Sequence, residues 1–109
     1  MPLNNPVIVN IPAPTPITAS TATPTSVTTS GTSSTVLTAN ANRRGASFWN
    51  FGSSAVFVDV VNTVSTTAFA FRVDPGGHFE VDTPTYTGAW FAICSTGQVS
   101  TLLVRDFLP

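Results

Sequence analysis

The feature that most constrains this chain is a segregation along its length. No charged side chain occurs before Arg43 and no aromatic one before Phe48, while six of the nine prolines fall between Pro2 and Pro24. A segment without aromatic anchors or a sustained apolar pattern has nothing from which to build a core. The sequence therefore divides into an extended Pro/Thr/Ser-rich arm over residues 1–34 and a folded domain over residues 35–109. With 109 residues in all, one domain is the ceiling.

Within the arm, each proline fixes its own φ and drives the residue before it toward extended backbone. Thr and Val add β preference. Fully extended, the 34 positions reach about 110 Å. In the stretch Val7-Ile8-Val9-Asn10-Ile11, the side chains of Val7, Val9 and Ile11 share one side of an extended chain. Such a strip is suited to adding as a strand to the sheet edge of a partner, so Val7, Ile8, Val9, Ile11 and the nearby Ile17 are the candidate docking residues of the arm. Pro12-Ala13-Pro14-Thr15-Pro16 has the look of a polyproline ligand, but the basic residue that readers of such ligands want is absent nearby. The tract from Thr18 to Thr35 reads as a linker holding the arm away from the domain.

From Ser34 onward, short β-rich runs alternate with turn residues at intervals of roughly ten, the signature of a small antiparallel β-sandwich or barrel of about six or seven strands. The runs are Thr35–Thr38, Ala46–Phe51, Ala55–Val61, Thr66–Val73, His78–Val81, Ala89–Cys94 and Val99–Asp106. No helical period interrupts them. The strongest turn is Asp74-Pro75-Gly76-Gly77: Pro presets the second position and Gly supplies positive φ at the third, a type II turn. It is expected to join Thr66–Val73 to His78–Val81 as antiparallel neighbours. By alternation Val56, Val58 and Val60 share a face, as do Thr67, Phe69, Phe71 and Val73.

Two runs are apolar on both faces, Phe48-Trp49-Asn50-Phe51 and Trp90-Phe91-Ala92-Ile93. A thin sandwich has one interior and cannot hide both sides of so many strands. Small domains close that deficit with disulfides, metals or association. Cys94 is the only cysteine, so no intrachain disulfide forms and a buried thiol is expected. One His, one Cys and scattered carboxylates do not make a metal-ligand cluster. Association is what is left, as a homo-oligomer, trimer or dimer, or against a permanent partner. Its expected contacts in the domain are Trp49, Phe51 and Trp90, with Arg43 and Arg44 read either as a solvated pair at the arm–domain hinge or as a contact to an acidic partner.

Chemistry is hard to find in this composition. Charged residues make up 8% of the chain, against about 25% in an average protein. Four arginines and no lysine do not form the cationic stripe that phosphate backbones require, which argues against nucleic acid. His78 with Asp74 or Asp82, or Glu80 paired with Asp82, are arithmetically possible sites. No nucleophile elbow or phosphate-cradling loop accompanies them, so neither enzymatic activity nor a cofactor is expected. No apolar run approaches the ~18 residues of a membrane span. The first ten residues lack the basic start of a secretion signal, pointing to synthesis in a reducing cytoplasm.

The segment Leu37-Thr38-Ala39-Asn40-Ala41-Asn42-Arg43-Arg44-Gly45-Ala46-Ser47-Phe48-Trp49-Asn50 resembles the L-x-A-N-x-N-R-x-G-x-x-x-x-N pattern of small virion-associated proteins of tailed bacteriophages, cyanophages among them. The resemblance continues through Ser65-Thr66-Thr67 as a strand, through Pro75-Gly76-Gly77-His78-Phe79-Glu80-Val81 and Tyr86-Thr87-Gly88, and covers about residues 36–107. It implies a capsid decoration (cement) protein on the virion surface whose partner is the major capsid protein. The competing expectation is a tail or fibre module that stacks host glycan on Trp49, Trp90 and Tyr86.

Overall fold

The computed structural model describes residues 21–81 and 85–109. The chain is all-β, with no helix among the described residues. Eight strands follow one another: β1 (Thr21–Thr29), β2 (Ser34–Leu37), β3 (Gly45–Asn50), β4 (Val56–Asp59), β5 (Phe71–Val73), β6 (His78–Val81), β7 (Trp90–Ile93) and β8 (Ser100–Leu108). They form two four-stranded antiparallel sheets. Sheet A has the order β1-β8-β3-β6 and sheet B the order β2-β7-β4-β5. Only β4 and β5 are neighbours both in sequence and in a sheet; every other connection crosses from one sheet to the other.

The interior is built by alternation. Ala46 and Phe48 of β3, Leu102 and Val104 of β8, Val56 and Val58 of β4, and Trp90 and Ala92 of β7 point between the sheets and are buried, closed by Val36, Leu37, Val73 and Cys94. Val60 packs against this core from its rim, on the side where alternation placed it. Phe48 is the centre of an aromatic cluster, with ring centroids 5.5 Å from Trp90 and 5.6 Å from Phe71. Cys94 is buried as expected, its Sγ 3.1 Å from the Oγ1 of Thr29.

Three expectations need correction. First, part of the leader belongs to the domain. Residues 21–29, read from sequence as linker, pair along their whole length with β8, from Thr21↔Leu108 to Thr29↔Ser100. Their Thr and Val residues favour strand, and β8 offers an edge that no other segment satisfies. Pro24 is tolerated because β1 is itself an edge strand. The domain therefore begins before the 34/35 boundary, and Val7, Ile8, Val9, Ile11 and Ile17 lie outside the described residues.

Second, the Asp74–Gly77 turn forms but does not make a hairpin. Gly76 has φ +79° and the Gly77 N–H donates to the Asp74 carbonyl at 2.8 Å, as a type II turn requires. The turn docks on the end of β3: the Gly76 N–H donates to the Asn50 carbonyl at 2.6 Å and the Asn50 N–H to the Gly77 carbonyl at 2.9 Å. That docking delivers β6 to β3 in sheet A while β5 stays on β4 in sheet B.

Third, the run Thr66–Val73 is a strand only at its end. The Ser65 hydroxyl accepts from the Thr67 and Ala68 N–H groups, and Ser65 and Ala68 exchange backbone bonds. This local side-chain turn overrides the β preference of Thr66 and Thr67. Phe69 is thereby left 40% exposed rather than facing inward with Phe71 and Val73.

Candidate interaction surface

In an antiparallel ladder, residues paired across strands project to the same face. Opposite the buried Ala46, Phe48 and Asn50, β3 presents Ser47 and Trp49 to the outside of sheet A. Trp49 pairs with Leu103 of β8 and His78 of β6, and Ser47 pairs with Arg105 of β8 and Glu80 of β6. Phe51 follows at the strand end, its N–H donating to the Thr101 carbonyl, and its ring lies 5.6 Å from that of Trp49. Both are 47% exposed. Beside Phe51 lies a shallow open depression of about 180 Å³ lined by Thr28, Gly52, Ser53, Val99, Ser100 and Thr101. Gly52 admits no side chain there: a Cβ would lie 2.6 Å from the Thr101 nitrogen and 2.9 Å from the Ser100 Cα.

The outer face of sheet B is also apolar but covers itself. Phe57 projects outward beside Ile93 and Arg72 and is nonetheless 7% exposed. Phe69 meets its ring edge-on at 4.9 Å, and the Arg72 guanidinium sits 5.7 Å from the ring centre. The long β4–β5 connection thus supplies the lid that sheet A lacks.

The other residues singled out from sequence have structural employment. Trp90, expected at a contact surface, is in the core at 6% exposure, because its side of β7 is the side of Ala92. Its ring contacts Phe48, Phe71 and Tyr86. Arg43 is neither solvated nor turned toward a partner. Its side chain is fully buried, and every guanidinium N–H is committed. Nε donates to Asp106 Oδ1 at 2.8 Å and Nη2 to Oδ2 at 3.4 Å; the remaining donors reach the carbonyls of Thr38, Tyr86 and Gly88. Only the planar fork of arginine can serve two carboxylate oxygens and three carbonyls at once. Asp106 is taken by Arg43, and Arg105 is left on the open face. Arg44 is exposed, and its carbonyl accepts from the Thr85 hydroxyl.

Asn50 gave no sequence signal beyond that of a turn residue, yet it is wholly buried and all four of its side-chain hydrogen-bonding positions are used. Nδ2 donates to the carbonyls of Ser54 and Val73; Oδ1 accepts from the Gly52 N–H and the Ser100 hydroxyl. Arg43, Gly45 and Asn50 of the segment from Leu37 to Asn50 therefore act inside the fold: Gly45 is buried between Val81 and Phe107, where added bulk meets the Val81 carbonyl at 3.4 Å. Among the possible catalytic groups, His78 Nε2 stands 3.9 Å from Glu80 Oε1 with both exposed, Asp74 pairs with Arg72 at 2.6 Å, and Asp82 lies outside the described residues. Among the described residues there is no group of three or more His, Cys, Asp or Glu arranged to hold a metal ion, and no helix long and apolar enough to cross a membrane.

Comparison with protein-family models, with curated proteins and with solved structures finds no match to this chain.

Proposed function

We propose that this protein is a non-enzymatic structural component of a virus particle, a decoration protein held on the outer surface of a tailed-phage head. The observation that carries the reading is the tilted, half-exposed Trp49–Phe51 pair on the outer face of sheet A. It sits in a domain that covers the equivalent face of sheet B with its own loop. Large aromatic side chains left open together mark a protein-contact surface. The leader is the second contact. It enters the domain at Thr21, at the Leu108 end of an edge strand, and a chain of twenty residues before that point has a reach of up to about 66 Å, enough to cross to neighbouring subunits. Many modest contacts joined by one chain and repeated by particle symmetry hold more firmly than any one of them. The segment from Leu37 to Asn50 and its resemblance to small virion proteins agree with this role.

The glycan-binding alternative has less to stand on. Of the three aromatic residues it needs, Trp90 is a core residue and Tyr86 packs edge-on against it.

Removal of residues 2–20 from the full chain tests the proposal, since it leaves β1 and both sheets intact. Occupancy on purified phage heads is expected to fall at least about tenfold, as loss of one tethered contact predicts. Replacing Trp49 and Phe51 by serine should also reduce it. Unchanged occupancy in both variants would overturn the reading, and glycan-array binding that depends on Trp49 would replace it.

A further inference from the structure

The register of sheet A places opposite charges symmetrically about one strand. Arg105 on β8 and Glu80 on β6 both pair with Ser47 on β3, so they stand on the same outer row at equal distances to either side of it. Each is about 4.8 Å from β3, and the two are separated by about 10 Å. Both are exposed, and the carboxylate nearest to Arg105 in sequence, Asp106, is taken by Arg43. In the next row along, Leu103 and His78 flank Trp49.

From this we infer that the partner of the sheet A face is a second copy of the same chain, packed face to face about a two-fold axis running along β3. The inference rests on the reading of this face as a protein-contact surface and names its occupant. Rotation about that axis lays β8 of each copy over β6 of the other. Arg105 then faces the partner copy's Glu80, twice by symmetry. Trp49 and Phe51 meet their own equivalents on the axis, and Leu103 covers His78. Among the two-folds parallel to the strands, this one sets Arg105 against Glu80; an axis along β8 sets Arg105 against itself, and one midway between β8 and β3 sets it over the uncharged Ser47.

The geometry is an ordinary one for sheets. The strands of the two copies run nearly aligned, within the ~30° that stacked sheets adopt. An isologous contact also closes, so it yields dimers and not filaments. The contact is small. Three overlapping strands, β8, β3 and β6, at about 4.8 Å spacing and six residues at about 3.3 Å give a face of about 14 by 20 Å, well below the usual size of a tight interface. The free dimer is therefore a weak one, and on a particle it joins two leaders into one bivalent ligand.

The test is sedimentation of the full chain from about 1 µM to about 1 mM, the range in which a contact of this size dissociates. A monomer–dimer equilibrium within that range is expected. Arg105→Glu and Glu80→Arg should each weaken it at least about tenfold, because each turns two attractive contacts into repulsive ones. The double reversal restores the complement and should return the affinity to within about threefold of the parent. Trp49→Ser should leave a folded monomer. A chain that stays monomeric throughout, a dimer indifferent to Trp49, or a double reversal no better than the worse single change would overturn the inference. Monomers whose head occupancy still depends on Trp49 and residues 2–20 would leave the decoration reading standing; the expected dimer without head binding would do the opposite.

Discussion

Trp49 and Trp90 begin from nearly the same sequence surroundings and end in opposite ones. Each lies in a four-residue run that is apolar on both faces, Phe48-Trp49-Asn50-Phe51 and Trp90-Phe91-Ala92-Ile93. In β3 it is Phe48 that turns inward, and Trp49 stands 47% exposed on the open face of sheet A; in β7 Trp90 turns inward and is 6% exposed. Strand periodicity permits either choice, because a one-residue shift exchanges the faces of a whole strand. What decides β3 is Asn50. Its side chain must point inward to serve Ser54, Val73, Gly52 and Ser100, and Phe48 and Ala46, at two and four residues' remove, go with it. What decides β7 is Ala92 and Cys94, small residues that leave room beneath the sheet for an indole. A polar hub thus fixes the surface tryptophan, and small inward neighbours fix the core one.

Truncating each tryptophan in turn separates the two roles. Trp90→Ala should destabilise the domain by about 3–5 kcal/mol, the cost of removing a buried indole from a packed cluster. A loss below about 1 kcal/mol in denaturant titration would show that β7 carries the other face inward. Next in size is the support around it. Asp106→Ala strips the carboxylate from a guanidinium that stays buried, at a cost of about 2–3 kcal/mol. A loss of the same size in the Arg43→Ala/Asp106→Ala double variant as in either single one would confirm that the two act as a unit. The smallest effect is the most informative about function. Trp49→Ala should change stability by no more than about 0.5 kcal/mol, as for an exposed site without structural employment. At the same time it should remove the acrylamide-accessible share of the tryptophan fluorescence; quenching that survives the change would place Trp90, not Trp49, at the surface.

The contrast between the two arginine expectations follows the same logic. Arg43 and Arg44 are adjacent and alike in sequence, and nothing local distinguishes a hinge pair from a buried clamp. The distinction is made by Asp106, sixty-three positions away, and by carbonyls of the loop after β6. Long-range pairing of this kind leaves no local trace, and Arg105 was the more obvious partner for Asp106. The turn at Asp74–Gly77 shows the complementary case. Its conformation was legible because Pro and Gly act locally on φ, but its destination was not, because that depends on backbone bonds to Asn50. β1 was missed for a related reason. A Thr-rich segment with a single apolar residue against the core, Val27, has too little periodic apolar signal to declare itself, and its strand state is conferred by the free edge of β8.

Sequence alone determined that the chain is all-β, where six of its eight strands lie, that its cysteine is buried, and that aromatic surface exceeds what one thin interior can hold. Those properties follow from local backbone preference and from composition, and neither needs a partner strand to be stated. The tertiary structure alone decided which strands share a sheet, which tryptophan faces out, and that Arg43 is core while Arg105 and Glu80 flank the open face. The reason is physical: a strand's faces and neighbours are chosen by hydrogen bonds and packing with residues far away in the chain, and alternation by itself is equally satisfied by either side.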